Sequence, residues 1–421
     1  MRIIYTLGIY AYTLAVRLAA PFNIKARQMV QGWKRSHRQI WLWAQDLGHA
    51  PVAWFHVASL GEFEQARPVL EKFRTLNPAY KVLLTFFSPS GYEVRKDYQQ
   101  ADMVAYLPMD TPSNARWLVQ TVMPRVAFFV KYDFWFNYLN QLRSHNSKTY
   151  IFSAIFRPTH YFFRWYGHWF LHQLRTGYDH IFVQNQESLQ LLQSHGIDHC
   201  TLTGDTRFDR VYDIAQKARR VEPIETFIDA TSDHTRRPVL MAGSSWEPDE
   251  QFIKQYLDYR KTRLKVILAP HMIGEGHIQS ILHLFGPDNC IRFSALHEAT
   301  PEELKRDILI IDNIGMLSAL YRYADVAYIG GGWGRGIHNT LEAVAFGKPV
   351  VFGPNYHKFQ EAHDLIRLGG GYTYDRYDTL QTILDRLIDN ADAYQKASLA
   401  CTEYLNNNLG SSDKIISKTA V

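Results

Sequence analysis

Residues 329–354 read IGGGWGRGIHNTLEAVAFGKPVVFGP, in which five glycines follow directly on a short apolar run. The run at 326–329 predicts a buried strand, and the pattern from about His338 predicts a helix. Glycines let backbone N–H groups approach a ligand closely, and a helix N-terminus favours an anion. We therefore expect a phosphate-binding turn here. The glycines predicted to contact the ligand are Gly331, Gly332, Gly334 and Gly336.

Glu342 lies inside the predicted helix, where an acid can accept two hydrogen bonds from a ribose diol. Small or polar residues also follow other predicted strands. Ser244 follows one strand of the second half, Pro270 and His271 end the next, and residues 204–209 (GDTRFD) follow the last strand of the first half. Each alone is compatible with a plain turn. Together they predict a nucleotide pocket at the carboxyl ends of parallel strands.

Short apolar runs alternate with longer mixed segments from residue 52 onwards, which is typical of βα units around parallel sheets. The predicted strands are 52–57, 81–86, 103–107, 125–130, 149–153, 180–184 and 200–204, then 238–242, 265–269, 290–293, 307–311, 326–329 and 349–352. We expect two αβα domains that face a central cleft. The predicted boundaries are an N-terminal segment at 1–45, a first domain at 46–218, a linker at 219–237, a second domain at 238–378 and closing helices at 379–421 that cross back to the first domain.

The stretch HVASLGEFEQARP at 56–68 has the same strand–turn–helix pattern but carries an acid, Glu62, where a phosphate loop would have glycines. A carboxylate at a helix start would repel a phosphate. It can instead stabilise the helix dipole by a few tenths to about 1 kcal/mol, or remove a proton from a substrate hydroxyl. From the residues alone, both interpretations of Glu62 stand.

The excess of positive charge lies at the N-terminus. The whole chain has 46 Lys and Arg against 41 Asp and Glu, and residues 1–45 contain basic side chains but no acid. Residues 3–20 are apolar apart from two threonines and Arg17, so they can span a bilayer or lie in its interface beside anionic lipid. A buried helix of a soluble protein is the third possibility. We favour membrane association.

Other features limit the function classes. Nucleic-acid binding is not expected, because no basic face is found elsewhere. The three cysteines are far apart, which indicates a reducing compartment. No D-x-D or HExxH pattern predicts a metal site. The aromatic and basic segment 156–175, which includes Arg157, fits a core helix or a lipid-facing surface equally well.

Several motifs occur in the order found in a known family. They are ASLGE at 58–62, PMDTP at 108–112, the strand and FW element at 129–135, GDTRFD at 204–209, AGSSWEPDE at 242–250 and the stretch from Gly336 to Pro354. The chain resembles the Kdo (3-deoxy-D-manno-octulosonic acid) transferases of lipopolysaccharide synthesis over almost its whole length. This resemblance implies a GT-B glycosyltransferase that moves Kdo from CMP-Kdo to a lipid A precursor, with inversion and without a metal or another cofactor. It also implies association with the cytoplasmic face of the cell inner membrane.

The resemblance assigns roles to individual residues. Glu62 corresponds to the catalytic base of the family's A-S-x-G-E motif. Pro270 and His271 correspond to a cytidine-nucleotide element, and Asn339 and Glu342 to an N-x-L-E motif for phosphate and ribose. We include Ser244 and the four glycines in the predicted donor site, and 46–218 becomes the acceptor domain. Acceptor contacts are predicted for Ser59, Gly61, Lys131, Asp133 and Arg157.

Two departures from the family pattern affect the predicted site. Residues 131–136 read KYDFWF where the family usually has E-T-E-[LI]-W-P, so Lys131 replaces an acid. The arginine that usually precedes the histidine of the nucleotide element is absent, and Arg335, Lys358 or Arg207 are the alternatives for its charge. Rival functions are another nucleotide-sugar GT-B transferase, a sugar-nucleotide epimerase, or an inert membrane-bound scaffold.

Overall fold

The computed structural model of the protein describes residues 1–231, 235–260 and 264–419. The chain divides into two compact units. Unit 1 comprises residues 1–210 and the C-terminal segment from residue 409, and unit 2 comprises residues 211–408. The chain passes from unit 1 to unit 2 within the helix Arg207–Lys217. Residues 232–234 of the predicted linker lie outside the described residues.

Unit 1 is built from seven parallel strands and the helices around them. Strands β1 to β7 are Val52–Val57, Lys81–Phe86, Met103–Tyr106, Pro124–Val130, Lys148–Ala154, His180–Val183 and Cys200–Leu202. Helices α1 to α9 are Arg2–Ala19, Ile24–Gln45, Leu60–Leu76, Pro89–Arg95, Pro112–Val122, Phe136–Ser144, His168–Gly177, Gln186–Ser194 and Arg207–Lys217. The strand order is β3-β2-β1-β4-β5-β6-β7.

Unit 2 has a second seven-stranded parallel sheet. Strands β8 to β14 are Val239–Ser245, Lys265–Pro270, Cys290–Arg292, Ile308–Ile310, Val326–Ile329, Val350–Phe352 and Gly371–Thr373. Helices α10 to α18 are Glu222–Asp229, Glu247–Tyr259, Glu275–Phe285, Pro301–Leu304, Leu317–Leu320, Leu341–Val344, Gln360–Leu368, Tyr377–Asp389 and Ala391–Asn408. Short 3₁₀ helices occur in both units, at Tyr161–Phe163, Pro287–Asn289, Phe293–Glu298 and Tyr321–Tyr323. The strand order is β10-β11-β9-β8-β12-β13-β14.

These two sheets confirm the predicted α/β fold class. Helices cover both faces of a parallel sheet, so most of its strand residues are apolar, and all six residues of β1 are buried. Each sheet has a switch point, where the strand order turns from one direction to the other: between β1 and β4 in unit 1, and between β8 and β12 in unit 2. Ligands of such sheets bind at the carboxyl ends of the strands beside the switch point.

The C-terminal segment divides between the two units. Helices α17 and α18 belong to unit 2, whereas the last helix, α19 (Ser411–Ser417), belongs to unit 1. Asp209 holds the start of α19, because its carboxylate accepts hydrogen bonds from the backbone N–H of Gly410 at 2.7 Å and of Ser412 at 2.6 Å. Within unit 1 this carboxylate therefore anchors the end of the described chain.

Helix α1 packs on unit 1 with one side and exposes apolar side chains on the other. The Tyr5 hydroxyl donates to Asp110 Oδ2 at 2.6 Å, and its ring meets Phe136 edge to face. Ile3, Leu7 and Leu18 remain mostly exposed. No single described helix is long and apolar enough to cross a bilayer; α1 and α2 pass that test only as a pair, bent by 117°.

The aromatic segment 156–175 does not form one continuous helix. It contains a 3₁₀ turn at Tyr161–Phe163, and α7 begins only at His168. Phe162 is buried in the unit 1 core, whereas Trp165 is 85% exposed. The segment therefore contains both a buried aromatic residue and an exposed one.

Candidate active site

Glu62 lies in the first turn of α3, directly after β1 and beside the switch point of unit 1. Ser59 is the N-cap of this helix, and its hydroxyl accepts from the Glu62 N–H at 3.5 Å. The Glu62 Oε2 atom accepts from the Ala58 N–H at 2.6 Å. Burial raises the pKa of Glu62, while the Ala58 N–H and the nearby Lys131 ammonium act in the opposite direction. The carboxylate is thus held in place and made more basic than an exposed glutamate.

A second acid, Asp133, lies near Glu62 at the end of β4. Its side chain is buried, and Asp133 Oδ2 lies 3.8 Å from His56 Nε2. Burial and the charge of Glu62 raise the pKa of Asp133 well above its usual range, and burial lowers the pKa of His56 to about 3. Since like charges in a dry site do not both ionise readily, the ionised form of Glu62 disfavours ionisation of Asp133.

Lys131, predicted to contact the acceptor, adopts a left-handed backbone conformation with φ of 60°. Its ammonium lowers the pKa of Glu62, so the two side chains interact. Burial raises the pKa of the neighbouring Tyr132, the charge of Arg157 lowers it and the charge of Glu62 raises it, so Arg157 and Glu62 both lie near this side chain. Gly61 is exposed in the first turn of α3. The predicted acceptor residues therefore collect around Glu62 in unit 1.

The glycine-rich turn of unit 2 follows β12 at the switch point of that sheet. Gly331 has φ of 90°, and its N–H donates to Asp249 Oδ2 at 3.0 Å. A Cβ on Gly332 would lie 2.6 Å from the Gly353 Cα, so only glycine fits there. Gly336 has φ of 142°, whereas Gly334 has room for a methyl group. Backbone geometry therefore requires glycine at three of the four predicted positions.

The helix after this turn differs from the prediction. It begins at Leu341, not near His338, and ends at Val344. The Asn339 side chain accepts from the N–H of Leu341, the first residue of the helix, at 3.2 Å and so satisfies a donor that has no partner within the helix. Gly347, with φ of 66°, then turns the chain towards β13. A single helical turn does not supply the dipole that the sequence suggested.

Other predicted donor residues lie near the carboxyl ends of β8, β9 and β12 in unit 2. Ser244, with φ of 55°, lies near the end of β8. Pro270 ends β9, and the His271 N–H donates to Ser245 O at 2.9 Å. The Asn339 Nδ2 donates to Glu342 Oε1 at 3.0 Å, which orients the carboxylate predicted to bind ribose.

Three rings that the sequence analysis did not combine form a stack at this end of unit 2. His271 stacks between Trp246, with ring centroids 4.6 Å apart, and His338, at 4.7 Å. The Trp246 Nε1–H donates to His338 Nε2 at 3.3 Å. Burial, with a contribution from His271, lowers the pKa of His338. They follow β9, β8 and β12, which are adjacent in the sheet, but only the strand order shows that they meet.

The three cations proposed to replace the missing arginine differ in their location and in their ion-pair partners. The Arg207 Nε–H donates to Asp205 Oδ2 at 2.7 Å in unit 1. Arg335 and Lys358 are exposed in unit 2, and among the described residues neither forms an ion pair with a carboxylate. Unit 2 therefore has two cations available for an anion. Within the described ranges, no group of three His, Cys, Asp or Glu side chains is arranged as metal ligands.

Comparison with known proteins agrees with the motif resemblance. Residues 31–210 match the family described as 3-deoxy-D-manno-octulosonic-acid transferase (kdotransferase). The 3-deoxy-D-manno-octulosonic acid transferase of Bordetella pertussis is 29% identical over 398 residues, covering 86% of this chain and 87% of the relative. The enzyme of the same name from Aquifex aeolicus is 26% identical over 342 residues, covering 80% of this chain and 85% of the relative.

Solved structures agree on the fold. UDP-GlcNAc 2-epimerase from Neisseria meningitidis, bound to UDP-GlcNAc, matches with a TM-score of 0.60 at 15% identity, covering 87% of this chain and 98% of that one. A glycosyltransferase from Rickettsia africae matches with a TM-score of 0.56 at 12% identity, covering 88% and 97%. The fold is GT-B. The sequence matches identify the chain as a glycosyltransferase related to the Kdo transferases, whose family model matches residues 31–210.

Proposed function

We propose that this glycosyltransferase moves Kdo from CMP-Kdo to a lipid A precursor, with inversion and without a metal, and that Glu62 is the general base. The observation that carries this proposal is the Glu62 carboxylate at the carboxyl end of β1, held by the Ala58 N–H at 2.6 Å and made more basic by burial. The similarity to Kdo transferases supports Kdo as the transferred sugar.

In the proposed reaction, an acceptor hydroxyl attacks the anomeric carbon of Kdo, and the bond to the CMP phosphate breaks. Glu62 removes the hydroxyl proton as the new bond forms. The Ala58 N–H holds Glu62 Oε2, so Oε1 is the oxygen that we assign to the acceptor. We assign the base to Glu62 because burial and the charge of Glu62 raise the pKa of Asp133 and disfavour ionisation of that second acid.

Unit 2 is proposed to bind CMP and to stabilise the leaving phosphate. The backbone turn at Gly331–Gly336 provides close approach, and Asn339 with Glu342 is assigned to phosphate and ribose. Positive charge is assigned to Arg335 and Lys358 because a phosphate leaving group develops negative charge in the transition state. This assignment replaces the helix dipole that the sequence suggested.

The proposed location is the cytoplasmic face of the inner membrane. The exposed apolar side chains of α1 and the absence of acids from residues 1–45 support it, because a surface helix with basic neighbours binds anionic lipid. Deletion of residues 1–22 is expected to release the protein from membrane fractions. Retention of the shortened protein on membranes would place the anchor elsewhere, for example at the exposed Trp165.

The donor identity is tested with the purified protein and a tetra-acylated disaccharide bisphosphate as acceptor. CMP-Kdo should give a glycosylated product, and UDP-N-acetylglucosamine should give neither transfer nor epimerisation. The second candidate, a sugar-nucleotide epimerase, is raised by the fold match to UDP-GlcNAc 2-epimerase. Epimerised UDP-sugar without Kdo transfer would favour that candidate, and binding of neither nucleotide would favour the scaffold.

A further inference from the structure

A pocket of about 450 Å³ lies in unit 1 between α1, α2 and residues 108–114. Its volume lies within the range of small-ligand sites. The basic side chains that line it are Arg17, Lys34 and His37, and the polar ones include Thr13, Thr111 and Asn114. None of its lining residues is among those predicted to contact the donor or the acceptor.

The charge of the pocket indicates an anionic ligand. Arg17 comes from α1 and Lys34 from α2, so two helices bring two cations to one cavity. No carboxylate is among the lining residues, and in the described ranges neither Arg17 nor Lys34 has an ion-pair partner. An arginine fork with a lysine is a common arrangement for binding phosphate oxygens.

The apolar part of the lining indicates that the ligand also carries hydrocarbon. Tyr10 and Leu14 line the pocket and are 49% and 58% exposed. They lie on the same helix as Leu7 and Leu18, whose side chains are 60% and 67% exposed. A free inorganic anion would use the cations alone. An amphiphile would use the cations and the adjoining apolar surface together.

We infer that this pocket binds the phosphate-bearing headgroup of an anionic lipid, with the acyl chains along the exposed side of α1. Arg17 and Lys34 bind the phosphate oxygens, and Asn114 faces the headgroup beside His37. The contact is non-covalent and independent of the transfer reaction. Its function is to fix the protein on the membrane through a defined site, in addition to diffuse attraction by the basic segment.

The test uses the full chain and dihexanoyl phosphatidylglycerol below its micelle-forming concentration, so that no membrane surface is present. Affinity is measured by calorimetry for the wild type, for Arg17→Gln/Lys34→Gln, and for Lys25→Gln/Arg38→Gln. The control removes two positive charges from the same acid-free segment but outside the pocket lining. All four side chains are exposed, so folding should persist, which circular dichroism checks.

We expect the pocket variant to bind the lipid at least about 10-fold more weakly and the control to stay within about 2-fold of wild type. Inorganic phosphate should bind the wild type at least about 10-fold more weakly than the lipid. Equal losses of lipid affinity in both double variants would contradict a binding site in the pocket. They would indicate diffuse electrostatic attraction alone. Inorganic phosphate binding as tightly as the lipid would overturn the assignment to a lipid, and so would an absence of lipid binding by the folded wild type.

Discussion

The Glu62 Oε2 atom lies 2.6 Å from the backbone nitrogen of Ala58, so a hydrogen bond from the turn after β1 fixes the carboxylate. This bond occupies one oxygen and orients the other. It also favours the ionised form against the effect of burial, which raises the pKa of Glu62. A base needs both properties, a fixed direction and a raised proton affinity. The predictions below follow from this geometry and from the corresponding turn of unit 2.

Lys131→Met should shift the acidic limb of the pH–rate profile. The Lys131 ammonium lowers the pKa of Glu62, so its removal raises that pKa further above the usual range. The reaction requires ionised Glu62, and the fall in kcat/KM on acidification should therefore begin at a higher pH. Lys148→Met is the control, because Lys148 begins β5 at the amino end of the strands. An identical pH–rate profile for Lys131→Met and wild type would show that Lys131 does not belong to the site.

Gly332→Ala should abolish CMP binding, while Gly334→Ala should preserve it. A methyl group at residue 332 would lie 2.6 Å from the backbone of Gly353, so the turn must move. At residue 334 the nearest atom would be 3.6 Å away, an ordinary contact. Calorimetry with CMP should show at least about a 10-fold loss for the first variant and about 2-fold or less for the second. Equal affinities would mean that the turn does not hold the nucleotide.

We expect wild type to bind CMP more tightly as the pH falls, and His338→Gln should reduce this pH dependence. The pKa of His338 is lowered by burial and by His271, so the ring is neutral in the free protein near neutral pH. A bound phosphate favours its protonation, and the affinity of wild type should therefore increase relative to the variant as the pH falls from about 8 to about 6. Calorimetry at several pH values measures this difference. A constant ratio of affinities would exclude His338 from phosphate binding.

Asp110→Asn should reduce the effect of pH on the protection of α1 amides from hydrogen exchange. Burial raises the pKa of Asp110 to about 7, so the folded protein takes up this proton at a higher pH than the unfolded chain does. This group therefore disfavours the folded state above about pH 7, and the effect is relieved as the pH falls from about 7 to about 4. Hydrogen exchange of α1 amides, corrected for intrinsic rates, should slow on acidification in wild type and less in the variant. The same pH response in both proteins would contradict this.

Much of the fold was predictable because buried parallel strands leave continuous apolar runs. The predicted bounds of β1 and β12 are those of the structure. Strand β14 was missed because its three residues, Gly371–Thr373, contain a glycine and no apolar run. The helix near His338 was wrongly predicted because helical periodicity does not show that a side chain such as Asn339 satisfies the N–H of Leu341, where the helix begins.

Individual residues of the candidate site were predictable from the sequence, but the contacts between them were not. Glu62 and the glycine turn are recognisable because each follows a strand directly. The pairing of His56 with Asp133, and the stack that joins Trp246, His271 and His338, depend on which strands are neighbours at the switch points. Strand order is a tertiary property that local patterns do not contain.

The most direct test of the account is the rate of Kdo transfer by Glu62→Gln, followed by mass spectrometry with CMP-Kdo and a tetra-acylated disaccharide bisphosphate. Glu303→Gln is the matched control, because the Glu303 carboxylate accepts a comparable bond from the Thr300 N–H at 2.9 Å at a helix start in unit 2. We predict Kdo addition by wild type and by the control, and a rate at least about 100-fold lower for Glu62→Gln. A folded Glu62→Gln protein that transfers Kdo at the wild-type rate would contradict the account.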